Sequence, residues 1–273
     1  MTPYTITIIG AGTMGGGIAT VCLQSGLSVA LYDPDPSALA RARARIAKRN
    51  DEEALKRLRL GNDLASAVAG ADYVLEAAPE RLELKRTLFK QLDSLAPAQA
   101  VLASNTSQHS VTALAAETKR PEKVLGMHWF NPPEKMALIE IVLALQTSAD
   151  TLALTEQLAA TCGKTSVVVK DRQGFVTTRA LAALLSEAMK MVEEGVASAR
   201  DIDTAVKLGL NHPMGPLELA DYVGLDTMLL ICESLTEALG ERFRPTQTLR
   251  KLVEAGKLGR KSGEGFYRYD APR

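Results

Sequence analysis

The 273-residue sequence predicts an α/β protein in which an open, doubly wound and mostly parallel sheet is followed by an all-helical domain. Three observations carry this reading. Short apolar runs alternate with helix-like stretches as far as Asp171. A glycine-rich turn, Gly10-Ala11-Gly12-Thr13-Met14-Gly15, joins the first apolar run to the first helix. Beyond Asp171-Arg172-Gln173-Gly174 the alternation stops and every segment has helical character. The boundary is therefore placed there, with residues 1–171 in the sheet domain and 172–273 in the helical one.

Strands are expected over 5–9, 28–32, 73–77, 100–103, 124–126 and 138–142, with one more over 166–169, because each is a short apolar run of the kind a strand buried on both faces requires. A small-residue stretch ending near Ser25 reads as the first helix. In the second domain, 175–194 is one long amphipathic candidate, Ser198-Ala199-Arg200-Asp201 reads as a capped helix start, and 216–240 as a further helical region. No internal repeat or low-complexity tract is evident.

The glycine turn has a specific chemical use. Gly10 permits the tight strand-to-helix turn, Gly12 removes a side chain where a pyrophosphate must approach the backbone, and Gly15 lets the helix pack closely on the strand. Thr13 and Met14 then open a helix whose unpaired N–H groups and positive dipole end bind anions without any basic side chain. The second apolar run ends in Asp33, eighteen residues past Gly15, where an acid accepts hydrogen bonds from an adenosine ribose. Strand, glycines, helix, strand and acid in this order predict a Rossmann-type dinucleotide site, with NAD as the cofactor.

Composition excludes several partners. Lys plus Arg equals Asp plus Glu at 32 each, so no bulk field argues for nucleic acid or an anionic membrane. Cys22, Cys162 and Cys232 are widely spaced in apolar contexts, which fits reduced core thiols and offers neither a metal-ligand set nor a disulfide framework. No apolar run has membrane-spanning length, and the first strand begins too early for a signal or transit peptide, so a cytoplasmic protein is expected. The strongest charge run, Arg41-Ala42-Arg43-Ala44-Arg45 continuing through Lys48, Arg49, Lys56, Arg57 and Arg59, reads either as a solvated helix face or as a surface for the phosphates of a large anionic substrate.

An enzyme that oxidises an alcohol with a nicotinamide needs a base for the hydroxyl proton, a group to orient that base, and donors for the developing carbonyl oxygen. Of the three histidines, His109 follows the polar loop Ser104-Asn105-Thr106-Ser107 and His212 precedes Pro213 in a turn. His128, in Gly126-Met127-His128-Trp129-Phe130-Asn131-Pro132-Pro133, lies at a strand end, where open sheets place their ligands. Glu140 sits inside the apolar run Leu138-Ile139-Glu140-Ile141-Val142, where a carboxylate is costly unless paired. Pairing it with the His128 imidazole explains both residues.

With these segments, and with Asn211-His212-Pro213-Met214-Gly215-Pro216-Leu217-Glu218-Leu219 and Gly259-Arg260-Lys261-Ser262-Gly263-Glu264-Gly265-Phe266-Tyr267, the chain resembles the L-3-hydroxyacyl-CoA dehydrogenase family over nearly its full length. The resemblance implies interconversion of (S)-3-hydroxyacyl-CoA and 3-oxoacyl-CoA with NAD, with short chains such as 3-hydroxybutyryl-CoA, in fatty acid β-oxidation. It puts the base at His128, its orienting acid at Glu140 and a substrate-binding serine at Ser107. Asp33, Glu80, Lys85 and Asn105 join the glycine turn as cofactor contacts, Asn131 faces the substrate, and the helical domain makes a homodimer. The basic face near Arg45, Lys48 and Lys56 is the candidate for meeting the CoA phosphates.

The chain departs from the family pattern in two places. Gln173-Gly174-Phe175-Val176-Thr177-Thr178-Arg179 puts Thr178 where the family has a substrate-holding asparagine, and the stretch between Asp33 and Glu80 is shorter than the family's helical hairpin. A dehydrogenase of a non-CoA hydroxy acid (L-gulonate or L-carnitine type) and a non-catalytic, crystallin-like NAD-binding protein are the alternatives.

Overall fold

The structure, a computed structural model, describes residues 4–270. The chain forms two compact units, Met1–Arg172 and Gln173–Arg273. In the first unit, β1 (Thr5–Ile9), β2 (Ser28–Tyr32), β3 (Leu58–Gly61), β4 (Tyr73–Glu76), β5 (Val101–Ser104), β6 (Val124–Trp129), β7 (Leu138–Leu143) and β8 (Thr165–Lys170) form one sheet in the order β3-β2-β1-β4-β5-β6-β7-β8. All neighbouring pairs are parallel except β6 with β7. The chain reverses its direction of travel across the sheet between β3 and β4, which opens the crevice at the carboxyl ends of β1 and β4.

The helices of this unit are α1 (Thr13–Gln24), α2 (Pro36–Ala47), α3 (Glu52–Lys56), α4 (Leu64–Val68), α5 (Leu82–Leu95), α6 (Val111–Ala115) and α7 (Ala149–Thr161). Their core is continuous with the sheet: Ile6, Ile8, Leu31, Leu75, Met127 and Ile141 pack against Ile18, Leu23, Ile46 and Ala159, all essentially inaccessible. Cys22 and Cys162 belong to the same core and carry no disulfide.

The sheet has one strand more than the sequence pattern predicts. In β3, Arg59 interrupts the apolar run and the strand lies half-exposed at the sheet edge beyond β2, so the segment reads in sequence as part of the basic run. Arg59 is not simply solvated, since its guanidinium donates to the carbonyls of Ser66 and Ala67.

The second unit is helical: α8 (Thr177–Glu193), α9 (Ala199–Gly209), α10 (Pro216–Val223), α11 (Leu225–Leu239) and α12 (Gln247–Glu254), around a core that includes Leu185, Met189, Leu217, Met228, Cys232 and Leu249. Ser198 caps α9 by accepting from the Asp201 N–H. The helical region expected over 216–240 is two helices, because Gly224 takes φ +101° and ends the first before the second begins. Two buried acids tie distant segments of this unit together. Asp203 accepts from the N–H groups of Leu217 and Glu218 at the start of α10 and from the Tyr267 hydroxyl. Asp221 accepts from the N–H groups of Phe266 and Tyr267 and from the Tyr269 hydroxyl, while burial pushes its carboxyl above the ordinary range. The two carboxy-terminal sequence segments that carry the family resemblance thus owe much of their pattern to this bracing. Among the described residues no helix is long and apolar enough to cross a membrane.

Candidate active site

The carboxyl ends of β1, β2, β4 and β5 are knitted together by backbone hydrogen bonds: Gly10 N–H to Tyr32, Ala77 N–H to Ile9, and Asn105 N–H to Glu76. Gly10 has φ +105°, and a Cβ there would fall 2.7 Å from the Ala77 carbonyl oxygen. A Cβ on Gly15 would fall 1.8 Å from that of Gly10. Both glycines are therefore required by close backbone approach. Gly12 differs, since a Cβ on it would meet nothing within 4 Å, which leaves the space over the turn open. No side chain caps the start of α1. Asp33, at the end of β2, accepts from the Ala11 N–H at 2.8 Å and from the Asp35 N–H at 2.9 Å, so its carboxylate is held in place. An open cradle at an uncapped helix start, with a fixed acid beside it, fits a dinucleotide.

His128 and Glu140 are directly opposite one another in the antiparallel β6–β7 pair, so the register itself brings their side chains together. His128 Nδ1 lies 2.8 Å from Glu140 Oε2, with His128 only 6% exposed and Glu140 fully buried. The imidazole also sits 4.6 Å from the Phe130 ring, centroid to centroid. It opens into a cleft of about 320 Å³ whose walls include Met14, Glu80, Lys85, Asn105, Ser107 and Asn131. Asn105 Oδ1 accepts from the Trp129 N–H at 2.8 Å and so pins the loop after β5 to β6.

Beneath this cleft lies a buried charge network. Lys85, 1% exposed, places Nζ 2.7 and 2.9 Å from the two carboxylate oxygens of Glu76 and 3.1 Å from Glu80 Oε2. Glu76 also accepts from the Ser104 hydroxyl at 2.6 Å and the Ala78 N–H at 2.7 Å. Glu80 accepts from the Thr106 hydroxyl at 2.6 Å and from the Ser107 N–H at 2.9 Å, with the Ser107 hydroxyl at 3.4 Å. Burial pushes the Glu80 carboxyl up, but the Lys85 charge and these hydrogen bonds outweigh it and hold it below the ordinary glutamate range.

Of the residues singled out in sequence, Met14, Glu80, Lys85, Asn105, Ser107, His128 and Asn131 line one cleft, with Glu140 behind His128. Thr13 and Lys48 line a second cleft, which also includes Asn131. Lys56 is not part of it, and instead pairs with Glu53 on the exposed face of α3. Thr178 lies half-buried in the first turn of α8, in the second unit, and makes no side-chain hydrogen bond among the described residues. His109 does not line the first cleft and its Nε2 is buried without a partner, while His212 belongs to the second unit. Glu76 was missed, although it terminates the apolar strand Tyr73-Val74-Leu75-Glu76 and the argument that singled out Glu140 applies equally to it.

Fold and site together define a dinucleotide-dependent oxidoreductase with a histidine–carboxylate pair. Residues 5–172 match the family model for the 3-hydroxyacyl-CoA dehydrogenase NAD-binding domain, and residues 174–269 that for the 3-hydroxyacyl-CoA dehydrogenase C-terminal domain. A probable 3-hydroxybutyryl-CoA dehydrogenase of Deinococcus radiodurans is 45% identical, covering 96% of this chain and 99% of the relative. One of Bacillus subtilis is 43% identical, covering 97% of each. The crystal structure of (S)-3-hydroxybutyryl-CoA dehydrogenase from Ralstonia eutropha superposes with a TM-score of 0.94 at 41% identity, covering 98% of this chain and 100% of that one. The chain belongs to the 3-hydroxyacyl-CoA dehydrogenase family, and its cofactor is NAD.

Proposed function

We propose that the protein interconverts (S)-3-hydroxyacyl-CoA and 3-oxoacyl-CoA, with short acyl chains such as 3-hydroxybutyryl preferred, and that His128, Glu140 and Ser107 carry the chemistry. The buried His128–Glu140 pair is the observation that supports this most directly. A carboxylate facing Nδ1 accepts a hydrogen bond from the Nδ1–H and so leaves the lone pair at Nε2, the nitrogen that then takes the proton of the 3-hydroxyl group. Glu140 keeps the ring oriented and compensates the imidazolium charge. Ser107 and Asn131, on the wall of the same cleft, hold the substrate oxygen. Bound NAD, held by the Gly10–Gly15 turn, Asp33 and the Glu80–Lys85–Asn105 wall, supplies the hydride acceptor. In this reading residues 1–171 bind the dinucleotide, while 172–273 bind substrate and form a homodimer. On the same reading the enzyme is cytoplasmic and serves β-oxidation, the three free, buried cysteines fitting a reducing compartment.

Reduction of acetoacetyl-CoA with NADH tests the reading, run beside longer 3-oxoacyl-CoAs, with free 3-hydroxy acids assayed in the oxidative direction with NAD. The C4 thioester is expected to give the highest kcat/KM. Turnover confined to free acids would assign the protein to a different substrate class.

Thr178 supplies a separate check on the second domain. If its hydroxyl donates to the substrate oxygen in the transition state, Thr178→Val lowers kcat/KM by the equivalent of about 0.5 to 1.5 kcal/mol with little change in fold, since the two side chains have similar shape. Unchanged kinetics would assign Thr178 to packing.

A further inference from the structure

The second cleft, also of about 320 Å³, lies between α1, the end of α2 and the Asn131-Pro132-Pro133-Glu134 turn. Asn131 lines both clefts, so a ligand with its reacting carbon at His128 and an anionic tail at the end of α2 can occupy the two together. Three cations face this space, in three different states. Arg45 donates to the carbonyls of Ala11 at 3.1 Å and Gly12 at 3.2 Å, and so braces the glycine turn. Lys48 is exposed and has no side-chain partner among the described residues. Arg49 is ion-paired to Glu134, which reaches across the cleft from the opposite wall.

Cations at a helix carboxyl end are ordinarily accounted for by the helix dipole. That account does not require an acid from a separate loop to close over the cleft. The Arg49 side chain is 54% exposed and Glu134 18%, so the pair holds a partly solvated geometry that a stronger anion can open. The phosphate monoester of CoA is such an anion, since near neutral pH it carries more charge than a carboxylate while accepting the same two parallel N–H bonds from one guanidinium.

Resting on the reading that this cleft receives phosphate groups of the CoA substrate, we infer that Glu134 is a resident counter-anion which those phosphates displace from Arg49. Glu134 thereby sets the affinity for phosphate-bearing thioesters relative to phosphate-free ones. Arg49 is the residue whose charge changes hands, Lys48 adds a second contact, and Arg45 contributes field while remaining committed to the glycine turn.

The readout is the ratio of KM for acetoacetyl-CoA to KM for acetoacetyl-pantetheine, which lacks the phosphates, so that a general loosening of the turn affects both and cancels. Glu134→Gln is expected to lower this ratio by about two- to fivefold, the span an exposed ion pair of this kind is worth. Arg49→Gln is expected to raise it, and Glu134→Gln added to Arg49→Gln to have no further effect. If Arg49→Gln leaves the ratio unchanged, the phosphate reading of the cleft fails. If Arg49→Gln raises the ratio but Glu134→Gln leaves it unchanged or raises it, Glu134 is a structural bracket and the displacement is overturned.

Discussion

Replacing His128 with glutamine is expected to lower kcat by about 10² to 10⁴, the usual contribution of a positioned general base. NADH affinity, read by direct titration of the cofactor, is expected to change little. The reason is the separation of roles along the sheet: the dinucleotide turn lies at the end of β1 and Asp33 at the end of β2, whereas His128 comes from β6. Glutamine keeps a polar atom in the site but cannot take a proton from an alcohol at neutral pH. Glu140→Gln is expected to lower kcat to a smaller extent and to change the pH profile, because a neutral amide facing Nδ1 no longer compensates the imidazolium. Near-normal turnover in His128→Gln would remove this residue from the mechanism. A lowered kcat with an unaltered pH profile in Glu140→Gln would leave Glu140 a merely structural partner.

The legibility of these residues follows from how strongly local physics constrains them. The glycine turn is visible because two of its glycines answer to backbone contacts that no side chain tolerates, at Gly10 and Gly15, and the third to an open cradle at Gly12. Glu140 is visible because a carboxylate in an apolar strand demands a partner, and the partner is the residue that strand pairing places opposite it. Glu76 obeyed the same rule inside the run expected as a strand over 73–77, but no residue close to it in sequence stands out as its partner. Its partner Lys85 is nine residues away on α5 and looks in sequence like a solvated lysine. The Arg49–Glu134 pair was not legible at all, since the two residues are brought together only by the seating of a loop against the end of α2. The charge run near Arg45 hid β3 for a related reason: an edge strand with an arginine on one face has too few apolar positions to stand out from a basic helix surface. What sequence missed is in each case a pairing set by tertiary placement, while what it found is either local geometry or a charge whose burial was written into its neighbours.

Lys85→Met is expected to cost about 3 to 5 kcal/mol of stability, the penalty for breaking a buried ion pair by removing one partner. The magnitude follows from what remains. Glu76, fully buried, keeps hydrogen bonds from Ser104 and Ala78 but loses the ammonium group on both of its oxygens. Glu80 loses the attraction that offsets its own burial. Urea denaturation of Lys85→Met against wild type measures the loss, and Lys85→Met combined with Glu76→Gln should recover part of it by removing the stranded charge. A loss below about 1 kcal/mol would mean that water or rearrangement solvates Glu76, contrary to the packing described. The pH dependence supplies an independent reading. Because the folded-state pKa of Glu80 is depressed, its contribution to stability is present above the ordinary glutamate range and is lost as pH falls through the lowered value. Without Lys85, burial is left with less to oppose it and the carboxyl protonates at higher pH, so the acid limb of the stability profile should move upward. The same substitution should reduce turnover, because the backbone of Ser107 and the hydroxyl of Thr106 both hang on Glu80, and that loop forms the wall facing His128.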